Sequence, residues 1–179
     1  MKKSITKGIV PLLLLTAGFL GSLTAQAAVI PFPQAFQQVA VSLSNPESIA
    51  HYMWKNFSVE SDQTQFGQEE KWQSPEELLI NRRGDCEDFA RFAYEILKSN
   101  GTKAWLVSIY GRGYGHTIVV FQEKGFYHAI DGTEVKRFNA KSLLQVFEKI
   151  YPFWQKAALV KAQSNGPHAV ILKEFRNKA

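Results

Sequence analysis

Apolar residues recur at helical spacing in some stretches of the chain and alternate in others, with clusters of polar residues, glycine and proline between them. Asn45-Pro46-Glu47 reads as a helix start, with Asn as cap and Pro at the first helical position. Behind it Ile49, Met53, Trp54 and Phe57 predict one buried face. Ser74-Pro75-Glu76-Glu77 forms a capping box around a first-position proline, so a second helix starts there and ends by Gly84. Asp85 caps a longer helix whose Phe89, Phe92, Ala93, Ile96 and Leu97 make a core-facing stripe, closed by Asn100-Gly101. Ala104 to Tyr110, His116 to Gln122 and Phe126 to Asp131 read as strands. The first two are joined by a glycine-rich loop, Gly111 to Gly115, and the second pair by Glu123-Lys124-Gly125. Val29 to Ser44 is uncharged, carries Pro31 and Pro33, and predicts an extended lead-in, while Ser58 to Glu70 predicts a loop. Beyond Asn139 the pattern predicts helix to about Gln163, interrupted at Pro152, and then a final strand from His168 to Phe175. Helices segregated against a small antiparallel sheet place the chain in the α+β class.

Composition changes this picture at one end. Among 179 residues the formal charge is +5, which at first suggests an anionic partner such as nucleic acid or a membrane surface. Residues 1–27, however, have the form of an export signal of bacterial type. Lys2, Lys3 and Lys7 form a basic start, Ile9 to Leu23 is apolar, and Ala25-Gln26-Ala27 supplies small residues for cleavage. The apolar run carries Pro11 and Gly18 and is shorter than the about 20 residues a spanning helix needs, which favours cleavage over a retained anchor. Three lysines leave with it, so residues 28–179 carry only +2. The expected product is a single exported domain, periplasmic or secreted, without a stable membrane span and without a nucleic-acid partner. A single cysteine excludes a disulfide framework and a cysteine-rich zinc site.

That cysteine is also the candidate for chemistry. Cys86 follows the N-cap Asp85, where free backbone amides and the helix dipole favour an anion and can hold a developing oxyanion. Asp85, Glu87 and Asp88 work against a thiolate, and a small buried hydrophobe is the plain alternative. A nucleophile needs a base and the base an orienting group. With a two-residue turn at Lys124-Gly125, Glu123 pairs with Phe126, Ile118 with Asp131, and Asp131 becomes the diagonal neighbour of His116. A turn at Glu123-Lys124 sets His116 directly opposite Asp131, and a three-residue loop separates them. His128 falls on the other face of its strand, His51 on the first helix and His168 after a Gly-Pro turn, so all three read as packing or surface residues.

Trp72 to Leu79, Gly84-Asp85-Cys86-Glu87-Asp88-Phe89-Ala90, Gly115-His116-Thr117 and Ala129-Ile130-Asp131-Gly132 together resemble the transglutaminase-like superfamily, closest to its bacterial transglutaminase-like cysteine proteinases. The resemblance covers about residues 71–134. It implies a papain-like core, with the cysteine on a helix packed against a small antiparallel sheet that bears His116 and Asp131. It also implies acyl transfer through a Cys86 thioester, on a protein or peptide substrate, with His116 moving the proton and Asp131 orienting it. Hydrolysis by a cysteine peptidase or amidase is the favoured outcome. Cross-linking by a transglutaminase, or a non-catalytic peptide-binding module, remains the alternative. The family draws its second oxyanion donor from an indole or amide, which makes Trp72, Trp54 and Gln73 candidates. No cofactor is required by this chemistry. Asp85, Glu87 and Asp88 could nevertheless hold calcium, as in some bacterial relatives, or simply compensate the helix dipole.

Overall fold

A computed structural model of the chain describes residues 32–163 and 168–177; the export signal predicted for residues 1–27 lies outside them. Two helices lead in, α1 (Phe32–Ser42) and α2 (Pro46–Asn56), followed by the short strand β1 (Ser58–Val59) and helix α3 (Asp62–Phe66). Then come α4 (Pro75–Asn81), β2 (Arg83–Gly84) and the long helix α5 (Cys86–Ser99). Four strands follow, β3 (Ala104–Gly111), β4 (Tyr114–Glu123), β5 (Phe126–Asp131) and β6 (Glu134–Ala140), then α6 (Leu143–Ile150), β7 (Lys156–Lys161) and β8 (Val170–Arg176).

The order β6-β5-β4-β3-β7-β8 forms a six-stranded antiparallel sheet. Because side chains alternate across a strand, the sheet feeds two cores. Leu106, Val119, Phe121, Ala158 and Val160 meet the stripe of α5 and residues of α1 and α2. Val107, Ile109, Ile118, Val120 and Ala157 meet Val146 and Phe147 of α6. The chain is therefore α+β, with the cysteine-bearing helix packed on an antiparallel sheet. Phe92 anchors the first core: fully buried, it meets Phe57 edge-on at 5.1 Å and stacks on Tyr52 at 5.9 Å.

The helix starts follow their sequence signals. Asn45 and Ser48 form a reciprocal cap on α2, and Ser74 and Glu77 do so on α4. The strand register follows as well: Glu123 pairs with Phe126 across Lys124-Gly125, both at positive φ, the geometry of a tight hairpin turn.

Four expectations need correction. Of the lead-in expected to be extended, the described part is helical over Phe32–Ser42: α1 forms because Phe36, Val39, Ala40 and Leu43 recur at helical spacing and pack into the first core. The stretch Ser58 to Glu70 contains β1 and α3. The glycine-rich segment Gly111 to Gly115 is no loop; only Arg112-Gly113 turns, and Gly111 already pairs with Tyr114. The helix expected to reach Gln163 ends at Ile150, and Lys156–Lys161 is instead strand β7, flanked by β3 and β8. A strand covered on both faces reads as a continuous apolar run, so Ala157 to Val160 gave no alternation to distinguish it from helix.

Candidate active site

Cys86 is the first residue of α5, and its position is set by a polar brace beneath it. Asp88, almost fully buried, accepts the Gln73 backbone N–H at 2.7 Å, the Gln73 side-chain amide, and at 3.4 Å the N–H of the cap residue Asp85. The Gln73 amide also donates to the Arg83 carbonyl at 3.0 Å, while its oxygen accepts from Asn81. Arg91 of α5 donates to the carbonyls of Trp72 and Gln73. Gly84 permits this close approach, since a Cβ there would fall 2.5 Å from Asp88 Oδ2 and 2.9 Å from Leu78. The strand ending before Cys86 is held in turn by β1, where Val59 pairs with Gly84.

His116 on β4 and Asp131 at the end of β5 meet at 2.7 Å, Nε2 to Oδ1. Lys136 on β6 approaches the other carboxylate oxygen at 3.6 Å. Burial pushes Asp131 up, but the His116 hydrogen bond and charge and the Lys136 ammonium together hold it below the usual carboxylate range. Tyr151, just beyond α6, sets its ring edge-on to His116 at 5.5 Å. With Nε2 engaged, Nδ1 is the imidazole nitrogen left to exchange a proton.

Cys86 and His116 line one cleft of about 500 Å³, together with Glu70, Trp72, Tyr110 and Ile171. The Thr117 backbone amide, next along from His116, hydrogen-bonds toward the Cys86 sulfur and favours its anion. Opposing it, burial first and then the Glu87 carboxylate push the thiol well above its ordinary value. The thiol donates to Glu87 Oε2 at 3.2 Å, and no hydrogen bond among the described residues joins it to His116.

Around the thiol lie acids with little to offset them. Asp62, Asp85 and Asp88 bring carboxylate oxygens within 4.8 Å of one another, and Asp85, Cys86 and Glu87 form an overlapping group. Burial raises Asp62, Asp85 and Glu87, and it raises Asp88 to about 7 in spite of its Gln73 hydrogen bonds. Asp62 Oδ2 accepts the Lys71 backbone N–H, but Asp62 Oδ1 and Asp85 Oδ1 are buried without a partner. Orphaned oxygens within a set of hard ligands suit a divalent cation such as calcium, which takes carboxylates. Asp62 belongs to this group although no spacing signal linked it to Asp85.

The three oxyanion candidates separate. Trp54 is 68% exposed on α2, lies tilted against the His51 ring at 5.8 Å and does not line the cleft, so it leaves the site. Gln73 is fully buried with its amide spent on Asp88 and Arg83. Trp72 lines the cleft and donates its indole N–H to Glu70 at 2.8 Å. His128 is a packing residue, accepting the Phe138 N–H at 3.0 Å beside the Phe121 ring. His168, read from sequence as a packing or surface residue, lines the cleft.

A family model described as the transglutaminase-like superfamily matches residues 34–151. Among solved structures, Legionella pneumophila LapG in its calcium-bound form is 17% identical, with a TM-score of 0.52, over 83% of this chain and 81% of that one. Its EGTA-treated form is also 17% identical, with a TM-score of 0.51, over 79% and 81%. At this identity the likeness is one of fold. No curated protein sequence matches.

Proposed function

Since the chain belongs to the transglutaminase-like superfamily, we propose that it is an exported cysteine peptidase or amidase acting on a protein or peptide amide, with Cys86, His116 and Asp131 as its catalytic groups. The observation that carries this reading is the 2.7 Å His116–Asp131 pair in the cleft that also holds Cys86 at a helix N-terminus. The Cys86 thiol gives its proton to His116 Nδ1, and the sulfur adds to the substrate carbonyl. The carbonyl oxygen becomes an oxyanion, held by the Cys86 backbone N–H and by Trp72 once its indole leaves Glu70. Imidazolium then protonates the amide nitrogen, the C–N bond breaks, the amine departs, and a Cys86 thioester remains. Water, giving its proton to His116, hydrolyses the thioester to a carboxylic acid and restores the thiol. Asp131 keeps Nε2–H as the donor side of the ring throughout and stabilises the imidazolium.

Asp62, Asp85, Glu87 and Asp88 are the residues that would hold calcium. When bound, the ion supplies positive charge against the carboxylates that otherwise keep the thiol protonated. LapG, solved both calcium-bound and EGTA-treated, supports the reading by analogy of fold.

The test is wild type against Cys86→Ala, incubated with a peptide library and a fluorescent primary amine. New amino termini that depend on Cys86 support the peptidase. Amine-labelled glutamines would make the protein a transglutaminase instead. No product from either would leave a peptide-binding module. Export is tested by the amino-terminal sequence of the protein recovered outside the cytoplasm, expected to start at Ala28.

A further inference from the structure

The imidazole of His116 is tied through Nε2 to Asp131 at 2.7 Å, and among the described residues no other hydrogen bond fixes the ring. A bond at one ring atom leaves the plane free to tilt, whereas a base must present its other nitrogen in one direction. The remaining constraint has to come from packing, and strand alternation supplies it. His116, Ile118 and Val120 share one face of β4, and on that face Ile118 and Val120 belong to the core closed by Val146 and Phe147 of α6. Tyr114, two residues before His116, lies on the same face. Tyr151 follows Phe147 by four positions, so α6 carries it onto this face one turn further along. Its backbone is pinned at both ends: the N–H donates to the Phe147 carbonyl at 2.8 Å, and the carbonyl accepts the Trp154 N–H at 2.9 Å. Phe147 and Trp154 are buried and meet edge-on at 5.5 Å, which makes the anchor rigid. From there the Tyr151 ring meets the His116 ring at 5.5 Å between centroids, their planes 62° apart, and leans on the Tyr114 ring at 5.8 Å. Burial, then the Asp131 carboxylate, then Tyr114 and Cys86, push the Tyr151 hydroxyl above its ordinary range, so the ring meets the imidazole as a neutral phenol.

Resting on the reading that His116 is the base for Cys86, we propose that Tyr151 is a positioning residue, whose ring fixes the plane of the His116 imidazole so that Nε2 stays on Asp131 and Nδ1 stays open to the cleft. Edge-on aromatic pairs have a preferred geometry and resist rotation out of it. The contact with Tyr114 backs the phenol, which cannot swing away from His116 without losing a second ring contact. His128 shows the contrast: it too lies beside an aromatic ring, that of Phe121, but its Nδ1 is already taken by the Phe138 N–H. At His116 the aromatic contact orients a nitrogen that is left for chemistry. The Tyr151 hydroxyl has no part in this role.

The first measurement needs no substrate. NMR of the histidine ring nitrogens in mildly alkaline buffer, with His116 assigned by its loss in His116→Gln, should show one neutral state in the wild type, protonated at Nε2. Tyr151→Ala should replace it with both tautomers or with shifts averaged between them, and Tyr151→Phe should keep the single state. Tyr151→Leu retains apolar bulk against the core and is expected to behave as Tyr151→Ala does, so the test survives if the alanine variant fails to melt cooperatively. The second measurement is kinetic. On a cleaved peptide Tyr151→Leu should lower kcat on the order of tenfold with KM within about twofold of wild type, because the ring orients the base and touches no substrate. Tyr151→Phe should restore kcat to within about twofold. A single wild-type tautomer in the folded Ala and Leu variants, or an unchanged kcat, overturns the assignment. So does a Tyr151→Phe as slow as Tyr151→Leu, since the hydroxyl would then be the acting group. If the ring states divide as expected but the native chain cleaves no peptide, the peptidase reading fails and the positioning of His116 stands. If Cys86-dependent cleavage proceeds at the wild-type kcat in Tyr151→Leu, the peptidase reading stands and the positioning fails.

Discussion

The two sides of the cleft are built on opposite electrostatic plans. On the sheet side each charge has its counterpart: Asp131 is met by His116 at 2.7 Å and by Lys136 at 3.6 Å, and its carboxyl is held below the usual range. On the helix side Asp62, Asp85, Glu87 and Asp88 crowd the start of α5, all pushed up by burial, with two carboxylate oxygens left without partners. The sheet side is complete as it stands. The helix side has the donor atoms and the stored repulsion of a site that gains by taking up positive charge. Both converge on Cys86, which the helix side holds as a thiol through Glu87.

The largest effects belong to the complete side. His116→Ala should lower kcat/KM for a cleaved peptide on the order of 10⁴-fold, and Asp131→Asn about 10²- to 10⁴-fold, because the imidazole loses its orienting acceptor. Melting temperatures within a few degrees of wild type should accompany both. Full activity in Asp131→Asn would break the claim that this pair is the catalytic one.

Next in size is the response of the helix side to calcium. A ligand that binds only the folded state at about 100 times its dissociation constant adds roughly 2.7 kcal/mol, or about 5–10 °C in Tm for a domain of this size. Calcium should raise Tm by that order and EGTA should reverse it. Asp62→Asn gives a sign test: it should stabilise the calcium-free protein by relieving repulsion and abolish most of the calcium shift. A calcium shift of wild-type size in Asp62→Asn would remove that residue from the site.

Smaller again is a pH effect. A carboxyl whose folded pKa is raised keeps its proton where the unfolded chain has lost it, so folded stability falls as pH rises through that interval. For Asp88 the interval runs from its ordinary 3.8 to about 7. In EGTA the Tm should therefore decline between about pH 4 and pH 7, and Asp88→Asn should flatten the decline if the Gln73 hydrogen bonds survive. Asp131 acts in the opposite direction, its contribution fading only on acidification below the ordinary carboxylate range. A Tm in EGTA that climbs from pH 4 to pH 7 would mean that the acids on the helix side are better compensated than their geometry suggests.

This contrast was only half legible in the sequence. The sheet side could be read because hairpin arithmetic is local: Lys124-Gly125 fixes the pairing of Glu123 with Phe126, and alternation carries His116 and Asp131 to the same place. The capping boxes and the stripe of α5 were local too. The helix side depends on distant residues. Asp62 reaches Asp85 through the fold of β1 and α3, inside a stretch whose polar pattern suggested only loop. Gln73 was offered as an oxyanion donor because nothing in the sequence showed that Asp88, fifteen residues on, would claim its amide. Trp54 carried the periodicity of a buried face but lies on its open edge. Lys136 went unnoticed because β6, with exposed and charged positions, offers no alternation, and β7 was lost to helix for the opposite reason, an unbroken apolar run.

The smallest expected effect tests whether the completeness of the sheet side depends on all of its parts. Lys136 is about one third exposed and also pairs with Glu134 at 3.3 Å, so its attraction to Asp131 is shared and screened by solvent. Ion pairs of this kind contribute about 0–1 kcal/mol. Lys136→Met should thus leave Tm nearly unchanged and cost at most about fivefold in kcat/KM, because His116 alone supplies the short contact that orients the ring. The loss should shrink further in high salt, where the wild-type pair is itself weakened. A loss comparable to that of Asp131→Asn would show that the ammonium, rather than the imidazole, keeps Asp131 ionised, and the two sides would then differ in degree only, each relying on a cation brought in from outside the His–Asp pair.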